Sequence, residues 1–354
     1  MFYPQKLDLR KQNTYALPFS RQRIYATMMP LAFNVTLINA DSVFAKLADV
    51  KYAVYEIPQE EDTEGRRNLV DQKILERCVQ IELQMPSSIW FNFANVRIVF
   101  KSSDEYLCQT MEWHNLRAEA AVTLHNLDPR SESVENRAVF SIEFDYIQTP
   151  LREKRILIDQ FHSLKYPENG YILKDSLFNS DYLYEWNGDS VYTNFVMLHS
   201  KLSKQGYFLE ILTENFSCFD AENYGTLMLV DPEDFFSSTE VEKLRNDIEN
   251  LGLSVVVMAD WYNEQLLRQN HFYNNNTFEE WKPFMAGSNI RGLNQLLEPY
   301  NIAFGENVFS GEFKLNGTIL QVDSSTEIIR FPKEGYLVSA ELMEESSYLI
   351  SKGL

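Results

Sequence analysis

Three aspartates, Asp159, Asp231 and Asp260, each follow a short apolar run, and His162 lies close to the first. Open α/β sheets bind ligands outside the carboxyl ends of their strands. Three carboxylates converging there would suit Mg²⁺, which prefers carboxylate and water oxygens. The same residue type also borders loops and helix starts, where its short side chain accepts backbone N–H bonds. Spacing cannot make the three acids converge, so capping is the expected role and a metal site the alternative. Cysteine-hydrolase chemistry would need a Cys or Ser on a sharp strand-to-helix turn with small neighbours. The turn after Leu253–Ala259 reads Asp260-Trp261-Tyr262-Asn263, with neither nucleophile nor glycine. Cys218 follows another strand in Ser217-Cys218-Phe219-Asp220 and has no base near it in sequence, so a buried structural thiol is expected. His114, His125, His199 and His271 have no metal-ligand spacing, and the cysteines form no zinc pattern. No Gly-rich phosphate loop occurs, and no cofactor is expected.

Two other features depend on compartment. Cys78 and Cys108 both lie on expected strands; they either pair in an oxidising environment or remain separate buried thiols. Four sequons, at Asn34-Val-Thr36, Asn215-Phe-Ser217, Asn275-Asn-Thr277 and Asn316-Gly-Thr318, are glycosylation candidates only if the chain is lumenal. Asn-rich chains also produce sequons by chance.

The elements that must position these residues divide the chain. Its 354 residues suit two or three domains. An apolar content of 45% and an aromatic content of 14% exclude wholesale disorder. A net charge of −19 would repel nucleic acid. No apolar run approaches the ~20 residues of a transmembrane helix. After an N-terminal extension (1–30), segments near 31–39, 51–57, 76–84, 94–101, 105–111, 117–125 and 138–147 read as strands of a β-sandwich over 31–150, fibronectin- or immunoglobulin-like. The clearest is the last, where Phe140, Ile142, Phe144 and Tyr146 alternate with Ser141, Glu143 and Asp145.

Beyond the charged, Pro-containing stretch 148–155, strands and helices alternate. Strands are expected at 156–161, 207–212, 226–230 and 253–259. Helices are expected at 193–205, with Phe195, Leu198 and Leu202 on one stripe, and at about 238–251. Ser237 and Glu240 are placed for a capping box at the second helix, and Gly252 for its C-terminal stop. The all-apolar run 253–259 predicts a strand covered on both faces. This pattern predicts a doubly wound parallel sheet over 151–345, of glutamine-amidotransferase or flavodoxin type, with strand-like and loop character after 300.

Particular strings carry a resemblance. Lys154-Arg-Ile-Leu-Ile-Asp-Gln-Phe-His162, Glu185-Trp-Asn-Gly-Asp189, Tyr192-Thr-Asn-Phe195, Gly206-Tyr-Phe-Leu-Glu-Ile-Leu212, Cys218-Phe-Asp220, Tyr224-Gly-Thr-Leu227, Val230-Asp231 and Asp260-Trp-Tyr-Asn263 occur in this order. Together they resemble the region after the catalytic domain in the site-1 protease family of subtilisin/kexin-type, membrane-bound transcription factor peptidases. Pro30–Asn39 resembles the start of that family's β-rich ancillary domain, and Ile147–Arg155 the joint between modules. The resemblance covers about residues 18–345. It implies residence in the Golgi or endoplasmic-reticulum lumen, glycosylation at Asn34, Asn215, Asn275 and Asn316, and two kinds of partner: a subtilase catalytic domain, own or another's, and membrane-anchored protein substrates. A subtilase needs an Asp, a His and a Ser acting as one proton-transfer unit, and the family's motifs for them are absent from these 354 residues. Asp62-Thr-Glu-Gly65 is interrupted by Glu64, and Gly225-Thr226 is followed by Leu227. No triad residue is therefore assigned. The expectation is two ancillary domains without an active site of their own. The alternative is a stand-alone α/β enzyme or metal-dependent hydrolase using Asp159, Asp231 and Asp260.

Overall fold

A computed structural model describes residues 7–8, 14–16, 22–39, 45–57, 72–89, 92–126, 135–163, 165–166, 171–173, 186–187, 191, 195–260, 271–283, 287–315, 318–336, 341–342 and 348–350. The Asp62–Gly65 string, the turn residues 261–263 and the Asn316 sequon fall outside this set. The chain separates into two compact units, Met1–Pro150 and Leu151–Leu354.

The first unit contains β1 (Leu7–Asp8), β2 (Thr14–Ala16), β3 (Gln22–Ile24), β4 (Leu31–Asn39), β5 (Ala45–Glu56), helix α1 (Gln72–Cys78), β6 (Val79–Gln84), β7 (Ser88–Ile89), β8 (Asn92–Ser102), the short helix α2 (Tyr106–Gln109), β9 (Trp113–Asn126) and β10 (Glu135–Tyr146). One sheet runs β1-β4-β8-β6 and the other β2-β10-β9-β5-β7, with β3 also on β10. Residues of both sheets meet in a single apolar cluster, including Val96, Ile98 and Phe100 from one and Leu116, Val122 and Phe144 from the other. That is a sandwich core. On β10 the apolar positions lie as expected, although Ser141, expected on the polar face, is buried as well. Phe140, Ile142, Phe144 and Tyr146 are all buried, while Glu143 pairs at the surface with Arg117 of β9 (2.6 Å).

Within 1–30, the described strands join the sandwich sheets: β1 pairs in parallel with β4, and β2 and β3 pair in parallel with β10. The segment 105–111 is helical over Tyr106–Gln109 rather than a strand. Tyr106 and Leu107 are exposed there and only Cys108 is buried, so the apolar letters do not mark a half-buried face.

The second unit begins with a 3-10 turn, Arg152–Lys154. It continues through β11 (Arg155–Asp159), β12 (Lys165–Tyr166), β13 (Tyr171–Leu173), β14 (Trp186–Asn187), α3 (Val196–Lys204), β15 (Phe208–Leu212), β16 (Thr226–Val230), α4 (Ser238–Leu251) and β17 (Ser254–Met258). Then come β18 (Phe272–Asn274), β19 (Glu279–Pro283), α5 (Ile290–Leu297), β20 (Ala303–Leu315), β21 (Thr318–Arg330), β22 (Glu341–Leu342) and β23 (Tyr348–Ile350). Four strands form a parallel sheet in the order β15-β11-β16-β17. Ile156, Ile158, Met228 and Val230 line one face, where Phe195, Leu198 and Leu202 pack. Leu157, Leu227 and Leu229, at the alternate positions, are also fully buried. The two central strands are therefore covered on both sides.

Helix α4 has both halves of its expected capping box: Ser237 N–H donates to Glu240 Oε2 (2.9 Å), and Glu240 N–H donates to Ser237 Oγ (3.3 Å). Gly252, at φ 66°, ends the helix in the left-handed region that favours glycine. Strand β17 departs from its expectation. It is the last strand of the sheet among the described residues, and Val256 and Met258 are exposed. A continuous apolar run does not distinguish a central strand from an edge strand. After residue 300, the long β20–β21 hairpin forms a further antiparallel sheet with β22 and β23, and α5 packs against β20. Asn294 of α5 bonds both backbone groups of Phe304, at 3.0 and 2.8 Å.

Candidate functional site at the carboxyl edge of the parallel sheet

Strand β11 ends at Asp159, and the next residues turn back over the sheet. Asp159 Oδ1 accepts from the backbone N–H groups of Phe161 (3.1 Å) and His162 (3.4 Å), while Oδ2 lies 2.8 Å from His162 Nδ1. This is the capping role, extended to a side-chain partner. The other imidazole nitrogen lies 3.3 Å from Glu240 Oε1, so Asp159, His162 and Glu240 form a buried line. The ring packs against Phe216 and Phe236, with centroids 4.9 and 4.2 Å away. Its backbone carbonyl accepts from Glu233 and Asp234, at 2.9 and 3.0 Å. Burial opposes a charge on His162, but the Asp159 and Glu240 carboxylates outweigh it and the net shift is upward. Burial likewise opposes the Glu240 charge, yet bonds from Ser237 and the His162 charge hold its carboxyl below the usual range.

The second cluster lies at the ends of β16 and β17. Asp231 follows β16 at φ 49°, and its N–H donates to Met258 O (2.8 Å). The Ser288 hydroxyl donates to Asp231 Oδ1 and accepts from Asp260 N–H (3.1 Å). The Ser288 N–H donates to Asp260 O (2.8 Å), and Thr326 Oγ1 donates to Asp260 Oδ1 (3.4 Å). Burial pushes the Asp231 carboxyl up, the Asp260 charge adds to that, and the Ser288 bond offsets part of it.

The three aspartates are thus divided. Asp231 and Asp260 share Ser288, whereas Asp159 belongs to His162. Among the described residues, no group of three or more His, Cys, Asp or Glu side chains could hold a metal ion. The residue at the strained position after β16 is an acid bonded to a buried serine, and no Cys or Ser occupies it. The cavity at this edge, lined by Asp159, Gln160, Ser163, Val191, Phe195 and Ile211, measures about 10 Å³. That is roughly the room for one water, far below the ~300 Å³ at which substrate pockets begin. The arrangement can tie strand ends to their turns and bind or release protons, and this cavity has room for about one water among the described residues.

The other expected site residues are dispersed. Cys78 and Cys108 form a disulfide, with Cα atoms 5.5 Å apart, joining the end of α1 to α2. Cys218 is exposed, contrary to the buried thiol expected. In its 3-10 turn, Phe216–Cys218, Phe216 takes the inward position. Asn215 caps that turn by accepting from Ser217 N–H (2.9 Å). Asn34 lies on β4 opposite Arg97 of β8. Asn275 is exposed in the turn between β18 and β19.

A buried cluster near the amino end of the sheet was missed by sequence reasoning. Arg155 Nε donates to Glu210 Oε1 (3.0 Å), and Tyr224 Oη donates to Glu210 Oε2 (2.6 Å). The guanidinium also lies over the Tyr224 ring, 4.6 Å from its centroid. Burial, then the Glu210 charge, raises the Tyr224 pKa, keeping the phenol neutral. The available signal was opposite charges inside two apolar strand runs, Arg155-Ile-Leu-Ile and Phe208-Leu-Glu-Ile-Leu. A buried charge has to find a partner.

The fold defines a class: a β-sandwich unit followed by a unit built on a four-stranded parallel sheet. Residues 3–66 match the family model described as "MBTPS1, third Ig-like domain", and residues 150–353 match "MBTPS1, fourth GATase-like domain". The chain belongs to the MBTPS1 family, that of membrane-bound transcription factor site-1 protease. It is similar to subtilisin-like protease SBT6.1 of Arabidopsis thaliana, with 35% identity over 97% of the chain and 31% of that relative. It is also similar to membrane-bound transcription factor site-1 protease, with 32% identity in Mus musculus and 31% in Homo sapiens, again over 97% of the chain. The chain spans 31% of the length of these relatives. No described helix is long and apolar enough to cross a membrane.

Proposed function

We propose that this chain is the ancillary, non-catalytic region of a site-1-protease-like serine endopeptidase. In this role it stabilises a subtilase catalytic domain or presents a surface to that domain's membrane-anchored protein substrates. The observation that carries the reading is the match of residues 3–66 and 150–353, in order, to a third and a fourth domain of one protease family. The small cavity at the sheet's carboxyl edge and the aspartates bonded to their own turns, among the described residues, are consistent with it. The same reading places the chain in the Golgi or endoplasmic-reticulum lumen, makes Asn34, Asn215, Asn275 and Asn316 glycosylation sites, and takes the parallel sheet as doubly wound.

The test uses the full-length gene product containing this chain. Deleting these residues should lower the amount of mature protease or its cleavage of a membrane-anchored transcription factor precursor by about tenfold or more. The double substitution Asp231→Asn, Asp260→Asn should leave cleavage per mature molecule within about twofold. Hydrolytic turnover by the isolated chain that disappears on the same double substitution would overturn the reading in favour of a separate α/β enzyme.

A further inference from the structure

The hairpin between β18 and β19 combines three features that are unfavourable for a bare surface turn. Asn274 pairs with Glu279, leaving a four-residue loop, Asn275-Asn276-Thr277-Phe278. Phe278 N–H donates to Asn274 O (2.8 Å), and Asn274 Oδ1 accepts from the N–H groups of Asn276 (3.0 Å) and Thr277 (3.4 Å). Asn274 thus builds the turn, and the Asn275 carboxamide takes no part in it. The last loop position is left-handed at φ 58°, where glycine or asparagine is ordinarily favoured, yet it holds a phenylalanine. That ring is 75% exposed, and Tyr273, two residues before Asn275, is 55% exposed. A left-handed backbone position here holds an apolar ring that lies mostly in water.

The sequon supplies a candidate contact for that ring. We propose that Asn275 carries an N-linked glycan whose first N-acetylglucosamine packs on the aromatic surface of Phe278 and Tyr273. The inference rests on the lumenal reading above and goes beyond it by assigning one sequon and its receiving surface. In the modification, Asn275 Nδ2 attacks the anomeric carbon of a lipid-pyrophosphate-linked oligosaccharide. The C–O bond to the pyrophosphate breaks, the lipid pyrophosphate leaves, and the displaced Nδ2 proton passes to a base of the transferring enzyme. The sugar's axial C–H face then meets the electron-rich ring face, which removes apolar surface from water.

The full chain is produced in a secretory eukaryotic host and its intact mass measured. Asn275→Gln and Thr277→Ala should each remove the mass of one glycan. Phe278→Gly is then compared on the glycosylated chain and on either of these unglycosylated backgrounds. Without the glycan it should raise Tm by about 2–4 °C, because a left-handed position is relieved. With the glycan the gain should vanish or reverse. Tyr273→Ser should lower Tm more with the glycan than without it. Glycans at other sequons but none at Asn275, or an equal Tm gain from Phe278→Gly in both backgrounds, would overturn the inference and leave the lumenal reading standing. A secreted chain with no glycan at any sequon would sink both.

Discussion

At His162, burial drives the proton off while Asp159 and Glu240 hold it on, and the carboxylates prevail. Because the folded pKa lies above the ordinary value of 6.5, the stabilisation is fully present below about 6.5 and is lost as pH rises through the folded value. Asp231 acts in the same sense from its ordinary value of 3.8 upward. Glu240, held below its ordinary 4.5, acts oppositely: its contribution is present above 4.5 and lost as pH falls through the lowered value. The α/β unit should therefore lose stability as pH rises above about 6.5, the ordinary value for His162. His162→Gln should flatten that decline at an overall cost of about 2–4 kcal/mol, because two buried carboxylates lose their cation. Thermal melts of both proteins across this range check it. A decline equally steep in the variant would remove His162 as the cause.

At the scale of elements, the turn entering β11 is tied to its neighbours by Arg152. Arg152 donates to Tyr224 O (2.9 Å) and Leu251 O (2.6 Å), tying the 3-10 turn to the ends of β16 and α4. This requires Gly225: a Cβ there would meet Arg152 O at 2.8 Å and Glu153 Cα at 2.9 Å, both backbone atoms that cannot rotate away. Gly225→Ala should cost about 1–3 kcal/mol, read as a lowered urea midpoint at unchanged m-value. Several elements were legible from local pattern. Helix α4, with Ser237, Glu240 and Gly252 at its ends, was expected at 238–251 and lies at Ser238–Leu251. The aromatic alternation of β10 likewise fell where period two placed it. The failures had non-local causes. Strand β17 looked central because its residues are apolar, but edge position is set by which neighbours arrive. Residues 106–109 looked like a strand because of their letters, but become a short helix beside the Cys78–Cys108 link.

For the whole molecule, that disulfide closes the longest covalent loop seen among the described residues, with a sequence separation of 30. Loop-closure entropy alone predicts about 3–4 kcal/mol for a loop of this length. The double variant Cys78→Ser, Cys108→Ser should lower the stability of the sandwich unit by about that amount, followed by near-UV circular dichroism on denaturation. Equal stability in reducing buffer and in the variant would confirm that the bond, and not the sulfur atoms, is responsible. A wild type unaffected by reductant would argue against the bond.

The order of the two units, the aromatic core strand, the capped helix and the lack of subtilase triad motifs in these residues were all readable from sequence, because each depends on residues close together in the chain. Where the acids went depended on tertiary structure. Asp159, Asp231 and Asp260 end three parallel strands, and nothing in their spacing says whether they converge. Packing brought His162 and Glu240 to the first and Ser288 to the other two, so a possible three-carboxylate site became two proton-holding links between strands and turns. Convergence is a property of side chains brought together by burial across many residues of separation, and one-dimensional spacing carries little of that information.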